Sequence, residues 1–206
     1  MDGAPKCGVC SHHHDPGTKC PICGHTGRSR IFQILQHRPL ANVFSVRGFD
    51  CLEKPPVMRN LDRNLLCLTT ILRGRIFPQV SASLPDDPQA RHMLAFVGDA
   101  PIGTARWRVS AEHGAQVVEI ELLGVLVDKR KLGYGKNFLQ NILEDVNNRL
   151  NELNASCQAI VAHVPEHDTF AVAAVKLFES TGFRVDPQRH ERQGVSFFRL
   201  VLTAPK

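Results

Sequence analysis

The chain has no run of eighteen apolar residues, which excludes a helical membrane span. Its first ten residues, MDGAPKCGVC, lack a basic stretch followed by an apolar one. No secretory signal is expected there, and the chain is expected in the cytosol or nucleus. No stretch gathers five or six charges of one sign, so the net charge of +5 is spread over the surface. Aromatic residues are scarce at 6%, with one tryptophan and one tyrosine. A nucleic-acid surface near the N-terminus would interleave basic and aromatic side chains, and Lys6, Lys19, Arg28 and Arg30 give it thin support. No internal repeat or low-complexity segment is present. What remains, 43% hydrophobic and 22% charged over 206 residues, is the mix of a soluble globular domain with a small appendage.

Cysteine is unevenly distributed. Four of the seven fall in the first 23 residues, and Cys51, Cys67 and Cys157 are scattered. In a reducing compartment this pattern argues for a metal site rather than a disulfide framework. Cys7-Gly-Val-Cys10 and Cys20-Pro-Ile-Cys23 each hold two thiols across a two-residue spacer. Four thiolates suit tetrahedral Zn²⁺ and leave no open position, so the expected role is structural. The segment resembles a small zinc ribbon, with "SRIFQILQH" at 29–37 as a closing strand. His12, His13, His14 and His25 lie among the cysteines; they are loop residues, a replacement ligand or a second metal site. A redox C-x-x-C would need a helix N-terminus in a βαβ setting, which these surroundings do not offer. A segment this short buries little core, so metal would supply most of its folding energy. The expected boundaries are 1–39 for the ribbon and 40–206 for a larger domain.

The larger domain alternates in period. "ANVFSVRGF" reads as a strand, and Leu61, Leu65, Leu68, Leu72 and Ile76 are spaced as one face of a helix. Residues 78–90 carry three prolines and read as a loop. Gly98-Asp99 marks a hairpin turn, and 115–127 is a long strand. Phe138, Ile142, Val146, Leu150 and Leu153 stripe a second helix. Residues 158–164 form a short buried strand, Asp168 can cap a third helix, and Gly182 ends it. "FRV" and "VSFFRLVL" close the chain as strands. The order predicts a mixed α/β sheet flanked by helices, not an alternating doubly wound one.

Between the long strand and the second helix lies "VLVDKRKLGYGKNFL". It is not a P-loop, because position 130 is arginine and Lys136 is followed by Asn137. It is not a dinucleotide fingerprint, because position 138 is phenylalanine. The shared physics remains. Gly133 and Gly135 let backbone approach a ligand, Arg130, Lys131 and Lys136 add positive charge, and a helix start aims N–H groups at the same place. An anion is expected there. Glu119 and Glu121, two apart on one strand, share a face and are candidate bases; His163, at the end of the next strand, is another.

Arg130-Lys-Leu-Gly133-Tyr-Gly135 matches the [QR]-x-x-G-x-[GA] motif of the GNAT acetyltransferase superfamily. "AAVKLFESTGF" at 173–183 looks like that family's A-x-x-F-Y-x-x-x-G-F helix, and "PIGTAR" fits its second and third strands. The resemblance covers roughly residues 40–204. It implies a GNAT-like mixed, largely antiparallel sheet, with acetyl-CoA as cosubstrate and a primary amine as acceptor: a protein lysine, an N-terminus or a small amine. It implies that Arg130, Lys131, Gly133, Tyr134, Gly135 and Lys136 hold the pyrophosphate, and that the strand through Leu123 and Val125 pairs with the pantetheine arm. "VEIELLGVLVDKRKLGYG" is similar to the histone-acetyltransferase branch, whose basic glutamate stands eleven residues before the motif's first position; that is Glu119. Two positions depart from the pattern. Phe178 replaces the tyrosine that protonates the leaving thiolate, and Ala171 replaces an asparagine. A CoA-binding fold of low or no activity, with the ribbon as a docking site, is the alternative they support.

Overall fold

The computed structural model describes residues 43–50, 60–81, 83–112, 114–188, 190–192 and 194–203. The expected zinc ligands Cys7, Cys10, Cys20 and Cys23, the neighbouring histidines and the 29–37 strand lie outside these residues. The chain forms two compact units, Met1–Thr104 and Ala105–Lys206, divided within a single strand. No helix among the described residues is long and apolar enough to cross a membrane.

In the first unit, β1 (Phe44–Asp50) pairs antiparallel with β2 (Arg91–Val97), and β3 (Ala100–Glu112) leaves β2 through the Gly98-Asp99 turn. Helix α1 (Asn60–Ile76) packs on β1 and β2. Of the expected stripe, Leu65, Leu72 and Ile76 are buried and Leu68 only partly, while Thr69 and Arg73 join the inner face. Thr69 can lie inside because its hydroxyl donates to the Leu65 carbonyl at 2.9 Å. Arg73 can because Asp87 meets it with two hydrogen bonds, of 2.8 and 3.0 Å. Asp87 also accepts from the Leu84 amide, and its carbonyl faces Nε2 of the buried His92 at 3.0 Å. The proline-rich 78–90 segment is thus a loop anchored by a buried ion pair.

In the second unit the strand order is β3-β4-β5-β8-β6, with β7 on β8. Here β4 is Ala115–Val125, β5 is Ala159–Pro165, β6 is Arg184–Val185, β7 is His190–Arg192 and β8 is Val195–Thr203. β4 and β5 run parallel, whereas β8 is antiparallel to β5, β6 and β7. Helix α2 (Tyr134–Glu152) buries Phe138, Leu139, Ile142, Val146 and Leu150, each side chain contributing about 1.5–3 kcal/mol of gross burial. Leu153, expected on that stripe, falls past the helix end and is exposed. Helix α3 (Ala171–Glu179) packs on β5, β6 and β8. Asp168 caps the turn before α3, accepting from the Phe170 amide at 2.8 Å; the helix's own N-cap, Phe170, makes no side-chain cap. Gly182, at φ 98, ends the helix as expected.

Candidate functional site

The second unit is split where β4 leaves β5. Their parallel register runs from Val117↔Ala159 to Ile120↔Ala162. β4 then continues to Val125 and β5 to Pro165 without further pairing to each other. Two residues past the last pair, Leu122 has φ 52. A leucine in the left-handed region is strained by about 1–3 kcal/mol and kinks its strand in the manner of a bulge. The backbone of Leu123 and Val125 therefore stands free of the β4–β5 ladder. The sequence reads this strand as unbroken to residue 127, since leucine does not mark positive φ.

The glycine loop follows directly. Val127–Lys129 form a 3₁₀ turn, Lys131 has φ 62 and Gly133 has φ 82 as the N-cap of α2. No side chain caps this helix, so its first N–H groups are left to a ligand or solvent. The two glycines differ. Gly133 supplies a backbone angle that costs other residues strain, with open space beside it. At Gly135 a Cβ would stand 3.5 Å from the Leu177 side chain, an ordinary contact, so no packing constraint demands glycine there. Lys131 and Lys136 are exposed and Tyr134 is half-buried. Arg130, expected as a positive charge of the loop, also makes two structural contacts. Its Nε donates to the Val125 carbonyl at 3.0 Å, and its guanidinium lies 4.0 Å over the Phe170 ring. It braces the loop between the end of β4 and the start of α3.

At the mouth of the split, one face of the sheet is charged. Glu119 is paired in register with Val161, and His163 lies two residues farther along β5 on the same face. His163 Nδ1 is 3.1 Å from Glu119 Oε1, within ion-pairing distance but not aligned as a full hydrogen bond. Glu119 is buried, its side chain 5% exposed, and His163 is mostly covered at 10%. Glu119 Oε2 accepts from Arg108 Nη2 at 2.9 Å. The same nitrogen lies 3.3 Å from Glu121 Oε1, and Glu121 Oε2 lies 2.6 Å from Arg106 Nη2. The three expected catalytic candidates therefore meet in one network. Arg106 and Arg108, its cations, carry no motif and stand out only once β3 lies beside β4.

A second network borders the first. Arg199, opposite His163 in register, holds Glu112 at 2.6 Å and Asp186 at 3.0 Å, and His190 Nε2 lies 3.2 Å from Asp186. The Gln188 amide, against a smaller opposing effect of burial, and then His190 and Arg199 hold the Asp186 carboxyl below its ordinary range. Phe178 is buried at 4% exposure, its ring 5.0 Å edge-on from Phe183, and Ala171 is also buried.

Comparison with known proteins agrees with this geometry. The family described as "Acetyltransferase (GNAT) family" matches residues 68–183, more than half of the chain. No curated protein matches. Among solved structures, the chain is similar to Arabidopsis thaliana Naa50 in complex with the bisubstrate analogue CoA-Ac-MVNAL. That match has 23% identity and a TM-score of 0.56, and covers 78% of this chain and 99% of the other. A putative N-acetyltransferase from Lactobacillus plantarum gives 18% identity, a TM-score of 0.56, and coverage of 79% and 99%. Arabidopsis thaliana NAA60 in complex with a bisubstrate analogue gives 18%, 0.55, and 79% and 100%. The strand that splits from its neighbour, the uncapped glycine loop after it and the family match coincide on one stretch of sequence: the chain belongs to the acetyltransferase (GNAT) family and is an acyl-CoA-dependent N-acetyltransferase.

Proposed function

We propose that this enzyme transfers the acetyl group of acetyl-CoA to a primary amine of a protein, an N-terminus or a lysine, by direct attack. The observation that carries the reading is the position of the Glu119–His163 pair at the mouth of the β4–β5 split. In this reading the pyrophosphate rests on the N–H groups at the start of α2, with Lys131 and Lys136 beside it. The pantetheine arm pairs with the backbone of Leu123 and Val125, which lies outside the β4–β5 ladder. The thioester then ends beside Glu119 and His163.

Glu119 is buried and already bonded to Arg108, which makes it a poor acceptor for a substrate proton. In this reading the proton of His163 sits on Nδ1, 3.1 Å from the Glu119 carboxylate, which leaves Nε2 open as the base. The amine nitrogen attacks the thioester carbonyl, a C–N bond forms and the C–S bond breaks. The proton of the amine passes to Nε2, and the thiolate takes a proton from solvent. Phe178 cannot supply it, and a thiolate leaves readily without an acid. Two of the similar structures hold bisubstrate analogues, one of them carrying a peptide sequence in its name, which favours a protein amine over a small one. Free-thiol release from acetyl-CoA, scanned over N-terminal peptides, lysine peptides and polyamines, tests this. His163→Ala and Glu119→Gln should each lower kcat by about 10²-fold or more while acetyl-CoA affinity holds. Release with no amine in the panel would leave the CoA-binding module, which Phe178 and Ala171 favour.

The Cys7, Cys10, Cys20 and Cys23 pattern supports a structural zinc site in the N-terminal segment. It would fold that segment without taking part in transfer.

A further inference from the structure

We propose that Arg108 is the positioning residue of the Glu119–His163 pair: it fixes the carboxylate toward the imidazole and balances its charge. The inference rests on the function proposed above and concerns a residue that the family motif does not contain. Arg108 stands on β3, one strand away from Glu119 and two from His163. One of its nitrogens, Nη2, reaches Glu119 Oε2 at 2.9 Å and Glu121 Oε1 at 3.3 Å. With Oε2 so held, Oε1 is the oxygen left toward His163 Nδ1.

The charges around His163 single out Arg108. From β4 they are Glu119 and Glu121. From β3 they are Arg106, Arg108 and Glu112. From β8 there is Arg199, directly opposite in register, whose two terminal nitrogens are directed to Glu112 and Asp186, with His190 on Asp186. From α3 there are Lys176 and Glu179, both exposed. Arg106 is turned to Glu121. Arg108 is a cation that directly meets the carboxylate facing the imidazole, at 2.9 Å. A buried carboxylate with its cation removed stabilises a neighbouring imidazolium more strongly; a carboxylate replaced by an amide stabilises it less.

The two substitutions thus predict shifts of opposite sign. Arg108→Gln removes one cation from Glu119, His163 holds its proton to higher pH, and the acid limb of the kcat/KM profile moves up by roughly half to one pH unit. Glu119→Gln removes the anion and moves that limb down by roughly one unit or more. Arg108→Lys restores charge without the fork and brings the limb back towards wild type, with kcat still reduced. Acetyl-CoA KM stays within about twofold in all three, since none touches the glycine loop. The experiment is the pH profile of acetyl transfer to the best amine of the panel, with the His163 imidazole titration followed by NMR in the same variants. Midpoints that move apart, up for Arg108→Gln and down for Glu119→Gln, support the proposal even where turnover is too slow to measure. Unmoved midpoints, or shifts of the same sign, overturn it. If the Arg108→Gln chain does not fold, the Arg108→Lys midpoint is compared with wild type. A Lys variant that loses most of kcat with an unmoved midpoint supports positioning through geometry, and one with unchanged kcat and midpoint overturns the proposal. Wild-type chain that transfers to no amine refutes the function proposed above; active wild type with coincident midpoints refutes only the role of Arg108.

Discussion

Replacing Phe178 by tyrosine tests how much of the family mechanism this chain retains. The substitution adds one hydroxyl at nearly constant shape. Phe178 is 4% exposed and its ring meets Phe183 edge-on at 5.0 Å. An aromatic pair of this kind is worth about 0.5–1.5 kcal/mol beyond its area, and the substitution keeps it. The hydroxyl, however, enters a packed interior. Buried without a partner it costs about 1–3 kcal/mol. For a chain of this length that lowers Tm by roughly 2–4 °C per kcal/mol. The expected result is a drop of several degrees and no gain in turnover, because the ring serves the packing of α3 and the thiolate leaves without it. Phe178→Ala calibrates the scale, since a full aromatic truncation in a core costs about 3–5 kcal/mol. The assays are a thermal melt and free-thiol release from acetyl-CoA, run on the same preparations. A Tyr variant with unchanged Tm and faster turnover would refute the reasoning, because its hydroxyl would then reach the CoA cavity and act as the missing acid.

Gly133→Asp should weaken acetyl-CoA binding by about ten- to a hundredfold, since its carboxylate repels the pyrophosphate and competes for the N–H groups of α2; the surroundings are open but φ is 82, so about 1–3 kcal/mol of backbone strain is added and a thermal melt is read beside the binding, and calorimetry showing wild-type affinity would remove the phosphate assignment. Arg73→Met should destabilise the chain by about 3–5 kcal/mol at neutral pH, because it leaves Asp87 charged and buried; a melt within 1 °C of wild type would contradict this. Burial pushes the Asp87 carboxyl up, but hydrogen bonds from Arg73 and Leu84 and the charges of Arg73 and His92 outweigh it and hold it below its ordinary 3.8. A depressed carboxylate contributes fully above the unfolded value, so wild type should lose this stability only as pH falls below about 4. In Arg73→Met that acid-side loss should shrink, which unfolding measured from pH 3 to 7 can read. Cys20→Ala with Cys23→Ala should remove one zinc per chain; metal analysis that finds zinc unchanged would discard the ribbon.

The sequence carried the parts of this protein that have local signatures. Gly133, beside a helix stripe that begins at Phe138, marked the turn into α2 because positive φ at a helix start requires that residue type. Gly182 marked the end of α3 for the same reason. The period of the apolar residues gave α1, α2 and the central strands. It misplaced Thr69 and Arg73, since an inner polar residue is decided by a partner elsewhere: a carbonyl one turn away in one case, Asp87 in the other. Glu119, Glu121 and His163 were legible as candidates by residue type and position. Their meeting in one network was not. That depended on which strand lies beside which, on a two-residue offset across β4 and β5, and on arginines from β3 that occupy the carboxylate oxygens. The kink at Leu122 was equally hidden, because no local rule places a leucine at positive φ; the surrounding packing holds it there. Local chemistry fixes conformations that depend on a few neighbouring residues. Which titratable groups meet is settled by contacts between strands far apart in the chain.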